Sequence, residues 1–179
     1  MKYSISLIAL AAAATFVPAA HAITIAGTTT PGPTWTRPVA NLSGLSGIGI
    51  GVRYSVTPFF VSSTGLYDFT STAVGFWDNF TFLYENTFVP TSQLTNDLRG
   101  NDDKTFLLGI SGFDFNLTAN TQYQFVTTGR APANFGAWEL SITGPGTITV
   151  GVVPEPGTYA LMGLGLAGVL LATRRRKQN

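Results

Sequence analysis

Histidine and cysteine supply most nucleophilic catalysis and most soft-metal binding, and this chain of 179 residues has no Cys and a single His, His21. Because His21 lies within an N-terminal leader, the exported part is expected to hold neither. Ser-His-Asp and Cys-His catalysis, and thiolate or imidazole metal sites, then have no residues to work with. Carboxylates remain. Asp68, Asp78 and Asp114 with Glu139 could furnish an acid and a base if two of them stood about 5–9 Å apart across a scissile bond. Each is equally explained as a turn or capping residue, so no catalytic residue is expected. The densest polar stretch runs from Asn96 to Asp103. Asp97, Asp102 and Asp103 are hard oxygen donors of the kind Ca²⁺ collects in sets of six to eight. The Gly position, alternating spacing and terminal Glu of an EF-hand are missing, and Arg99 and Lys104 balance the charge. A solvated turn is the competing reading, and Ca²⁺ is the one candidate cofactor.

The elements that must position these residues are strands. Apolar and aromatic runs recur at Ile48–Val56, Phe59–Val61, Gly65–Thr70, Trp77–Tyr84, Phe106–Ile110, Phe113–Leu117, Gln122–Thr127, Trp138–Thr143 and Thr147–Val152. Most are five to eight residues long and bounded by Gly, Asn, Pro or Ser, with Pro58 as an interruption. Outside the two ends, no window longer than ten residues shows a helical apolar stripe. The expected fold is all-β, a single antiparallel β-sandwich or jelly roll over 47–153. Segment 23–46, rich in Thr, Gly and Pro, reads as an extended lead-in with one edge strand. Thirteen Phe, six Tyr and three Trp supply the core, with Trp77 and Trp138 the rings to examine for exposure. Residues 23–153 carry five basic and eight acidic side chains, about −3, with no basic patch to support nucleic-acid binding.

Both ends read as addresses. Residues 1–22 have Lys2, an apolar stretch from Ile5 to Val17, and Ala20-His21-Ala22 as a small-x-small site, so signal peptidase is expected to cut after Ala22. At the other end, Val153-Pro154-Glu155-Pro156 precedes an uncharged run over 157–173 and then Arg174-Arg175-Arg176-Lys177. An apolar helix can cross lipid because its backbone is satisfied internally, and the basic block holds its end in the cytoplasm. Seventeen residues span about 25 Å at about 1.5 Å each, short of a hydrocarbon core near 30 Å. Such a span suits a temporary anchor in the inner membrane better than a permanent one. Within it, Gly163 to Gly168 matches G-x-G-x-x-G but follows no strand, so the dinucleotide reading is set aside.

The order Val153-Pro154-Glu155-Pro156, short Gly/Leu/Ala-rich span and terminal Arg cluster resembles the PEP-CTERM sorting signal of Gram-negative bacteria. The resemblance implies recognition and cleavage by an exosortase-type enzyme, then release to the cell surface or extracellular matrix, commonly alongside exopolysaccharide production. Phe76-Trp77-Asp78-Asn79-Phe80 is similar to the F-x-D-x-F pattern of one subgroup, with Phe76, Asp78 and Phe80 on one face if the segment is a strand. Across roughly 60–145 the layout also resembles pre-peptidase C-terminal sandwich domains, which are non-catalytic accessory modules. The expected protein is an exported, non-enzymatic surface or matrix component of biofilm. A carbohydrate-binding module is the alternative, calling for three coplanar exposed rings. A periplasmic domain tethered permanently to the membrane is the other.

Overall fold

A computed structural model describes residues 20–151, and within them the chain forms ten strands. They are β1 (His21–Thr28), β2 (Thr34–Pro38), β3 (Leu45–Val61), β4 (Gly65–Val74), β5 (Asn79–Glu85), β6 (Asp97–Asn101), β7 (Ile110–Leu117), β8 (Tyr123–Gly129), β9 (Ala137–Gly144) and β10 (Ile148–Val150). Two antiparallel sheets result. One has the order β1-β9-β4-β7; the other runs β10-β3-β8-β5-β6, with β2 also paired to β3. The expected all-β antiparallel class holds. Among the described residues no helix is long and apolar enough to cross a membrane. The expected signal-peptide core, the Val153–Pro156 motif, the 157–173 span and the basic block lie outside the described residues.

The sheets meet face to face over an aromatic core. Tyr67, Phe69, Phe113, Trp138, Leu140 and Ile142 from the four-stranded sheet pack against Phe59, Val61, Leu83, Tyr123 and Phe125 from the six-stranded one. Period-two alternation dictates this, since every second residue of a strand points to the same face. The six-stranded sheet buries its outer face as well. There Trp35, Val52, Phe80, Phe82, Tyr84 and Val126 form a second cluster, with Leu42, Tyr54 and Phe88 packed on it. Trp35 touches Phe82 and Phe88 with ring centroids 5.6 and 5.1 Å apart. β2 and the segment after β5 therefore serve as a third layer.

This layer changes how the sequence must be read. Segment 23–46, expected as an extended lead-in, supplies two strands. β1 pairs along its whole length with β9, from His21↔Gly144 to Thr28↔Ala137. β2 pairs with β3, and the register slips where Gly51, at φ +70°, is the extra residue of a bulge. β3 also runs straight through Pro58, which was expected to interrupt it. Gly151 N donates to Pro58 O, so the ring nitrogen points to that same side, where β10 has just ended and no ladder bond is lost. Conversely, the expected strand at 106–110 is absent. A 3-10 turn at Lys104–Phe106 and an exposed loop occupy it, with Thr105 and Phe106 both at positive φ.

Candidate functional site

The start of β5, the ends of β6 and β8, and Arg37 of β2 converge at one end of the six-stranded sheet. Pairing brings them there: Asn79↔Gly129 places Asp78 beside Arg130, and Thr81↔Asn101 places Asp102 and Asp103 beside both. Arg130 N donates to Asp78 O at 3.0 Å, which extends the ladder by one rung. The Arg130 guanidinium lies 3.8 Å from Asp78 Oδ2 and 3.5 Å from Asp102 Oδ2. One carboxylate oxygen from each of Asp78, Asp102 and Asp103 falls within 4.8 Å of the others.

Arg37 is the buried cation beneath this cluster. Its Nε and Nη2 donate to Arg130 O at 3.2 and 2.9 Å, and Nη1 donates to Pro38 O at 2.9 Å. Its guanidinium carbon stands 3.9 Å from the Phe80 ring centroid. Burial pulls its pKa down to about 10, opposed in part by Asp102, so it remains charged at neutral pH. On the acidic side, burial raises Asp78, and the Asp103 charge raises it further against Arg130 and Arg37. Asp102 is raised for the same reasons, burial first and then Asp78 and Asp103. Arg130 therefore does not fully compensate its partners. A polar seam between the sheets leads away from the cluster. Asn79 Nδ2 donates to Ser71 O and Oγ, Thr81 shares a hydrogen bond with Ser111, and Ser111 Oγ reaches Asn101 O.

The residues singled out from sequence are distributed as follows. Phe76 is fully exposed in the turn before β5, while Asp78 and Phe80 are buried. The three do not share a face, because the strand begins only at Asn79. Asp102 and Asp103 join Asp78, but Asp97 does not. It opens β6, where the expected solvated turn is instead half strand, paired to β5. Asp97 sits beside Tyr84, whose hydroxyl donates to Gln93 O at 2.6 Å, and neither Asp97 oxygen has a partner of hydrogen-bond geometry. Burial pushes its pKa up to about 7, against weaker pulls from Tyr84 and the Arg99 backbone.

A prediction follows for stability against pH. The folded Asp97 pKa, about 7, lies above the unfolded value near 3.9, so the fold prefers the neutral acid. Stability should fall as pH rises from about 4 to about 7 and stay lowered above that. Asp97→Asn should match the parent near pH 4 and exceed it by about 2 kcal/mol at pH 8, allowing for solvent screening. Urea midpoints at the two pH values check this, and a variant no more stable at pH 8 would contradict it.

A second acidic pair lies on the outer face of the four-stranded sheet. Asp68 and Asp114 face each other across β4 and β7 and help to line an open depression of about 510 Å³. Lys104 Nζ donates to Asp68 and also to Phe69 O and Thr70 Oγ1 at 3.0 and 2.9 Å. Burial pushes Asp68 up, but hydrogen bonds from Lys104 and Asp114 outweigh it and hold the carboxyl below its usual range. Asp114 is raised, first by its hydrogen bond with Asp68. Glu139 stands elsewhere on β9, opposite Thr72. The aromatic platform of a carbohydrate module is also not built from Trp: Trp35, Trp77 and Trp138 are all buried. The exposed rings among the described residues are Phe76, Phe106 and Phe135.

Sequence reasoning missed Arg37 and Arg130. Both look like ordinary surface charges, and the one available signal was Arg37 inside the Thr34–Pro38 β-run. No curated protein matches the chain. Among solved structures it is similar to CBM35 from Cellvibrio japonicus Abf62, at 14% identity, covering 74% of this chain and 100% of that one, with a TM-score of 0.40. Residues 152–177 match the PEP-CTERM protein-sorting motif, which begins just after β10, the last strand among the described residues.

Proposed function

We propose that this is an exported, non-enzymatic β-sandwich, cut by signal peptidase at one end and by an exosortase-type enzyme at the other, and released to the cell surface or matrix. The carrying observation is the junction: β10 ends at Val150 and the sorting motif begins at 152. A folded domain is thus coupled to the signal with almost no spacer. The role is adhesion or matrix building in an exopolysaccharide or biofilm setting, with Phe76, Asp78 and Phe80 marking the F-x-D-x-F subgroup. The 157–173 span holds the precursor in the inner membrane while Arg174, Arg175, Arg176 and Lys177 stay cytoplasmic, and Val153, Pro154, Glu155 and Pro156 are read by the processing enzyme.

The N-terminal cut is compatible with the fold. Cleavage after Ala22 removes only His21 and Ala22 from β1, both exposed, and keeps Ile23 and Ile25 packed on the core. In the native host, a Pro154→Ala/Glu155→Ala double variant should fall at least tenfold in the released fraction and accumulate in membranes. Release equal to that of the parent chain would overturn the reading of the motif.

A further inference from the structure

We propose that Asp78, Asp102 and Asp103 form a Ca²⁺ site at the end of the six-stranded sheet. Two independent features converge there. One is spacing. Oxygens bound to one Ca²⁺ at about 2.3–2.6 Å can lie at most about 5 Å apart, and one oxygen from each of the three carboxylates lies within 4.8 Å of the others. Mg²⁺ demands near-ideal octahedral order and gives up its waters reluctantly, which a set of three carboxylates on two loops suits less well than the flexible sphere of Ca²⁺.

The other feature is the set of unpaired oxygens. Asp78 is only 8% exposed, and its Oδ1 is buried with no hydrogen-bond partner among the described residues. Asp102 Oδ1 and Asp103 Oδ1 are in the same condition. A buried carboxylate oxygen without a donor is costly, and a cation is its simplest complement. Arg130 is not that complement, because its contacts go to the Oδ2 atoms of Asp78 and Asp102. The guanidinium approaches one oxygen of Asp78 and one of Asp102, and the partnerless oxygen of each is the other one. Asp102 and Asp103 are half-buried, so water can complete the coordination from the open side.

The ion would fasten the turn before β5 to the end of β6. An exported domain without cysteine has no disulfide to do this. The proposal is independent of sorting, since it concerns only residues inside the sandwich.

The test uses the full chain in detergent, stripped with EDTA and titrated with CaCl₂ by calorimetry, with the unfolding temperature followed in parallel. One saturable site is expected, at the about 10⁻⁴–10⁻³ M typical of extracellular modules or tighter, with a rise in unfolding temperature. Asp103→Asn, at the half-open side of the cluster, should weaken binding at least tenfold while remaining folded. Asp97→Asn, outside the cluster, should bind as the parent does, and MgCl₂ should bind more weakly than CaCl₂. Absence of saturable binding by the parent chain, or undiminished binding by Asp103→Asn, would overturn the proposal.

Discussion

Phe69→Ala should lower the unfolding free energy by about 3–5 kcal/mol, the range for deleting a fully buried aromatic ring. Phe69 projects from β4 across the gap between the sheets and has no exposed surface. Its ring centroid lies 5.7 Å from Phe59, 5.5 Å from Phe113 and 5.5 Å from Phe125, the last in a stacked arrangement. Those neighbours come from β3, β7 and β8, so truncation opens a cavity that both sheets line and neither can close alone. Strands paired on both sides resist the shift needed to collapse it, as β4 is by β7 and β9. Phe106→Ala is the matched control. That ring is 98% exposed, and its loss should stay within about 0.5 kcal/mol. Denaturant midpoints for the two variants decide the matter. Equal effects would mean that the aromatic core is misplaced.

Arg37→Ala should cost about 3–4 kcal/mol, the second largest effect, through polar groups left without partners. Arg130 O loses two donors and Pro38 O loses one. Asp102 and Asp78 lose a buried positive neighbour that opposes their raised pKa values. The ring of Phe80 loses its cation. Arg37→Lys should recover less than half of the loss, because a single ammonium cannot reproduce the planar fork that reaches both carbonyls. Full rescue by Lys would show that charge alone matters and that the fork does not. Gly49 records how closely this side chain is packed, since a Cβ there would meet Arg37 Cγ at 2.4 Å.

Class and periodicity were legible in the residues themselves. Alternation such as Tyr67-Asp68-Phe69 and Trp138-Glu139-Leu140 placed strands at β4 and β9, and the inward members are the buried ones. Sidedness in β5 was not legible. Phe80 and Phe82 look like the core face, yet they point to the outer layer under Trp35, while Asn79 and Thr81 face the other sheet. Alternation fixes which residues share a face but not which face is covered, and here a segment near the N-terminus, β2, covers it. The loop at 106–110 failed for a related reason. Phe106, Leu107 and Leu108 have the composition of a strand, but positive φ at Thr105 and Phe106 turns the chain away. The acidic cluster was half legible. Asp102 and Asp103 stood out by density, but Asp78 reaches them only through the β5–β6 pairing, a contact that spacing along the chain does not encode.

Intact-mass spectrometry of the protein from culture supernatant and from membranes of the native host tests export and processing at both ends most directly. A supernatant species that begins at Ile23 and ends near Pro154–Pro156 is the predicted result. A membrane-bound species that still carries Arg174 to Asn179, with none released, would contradict it and leave a permanently tethered periplasmic domain.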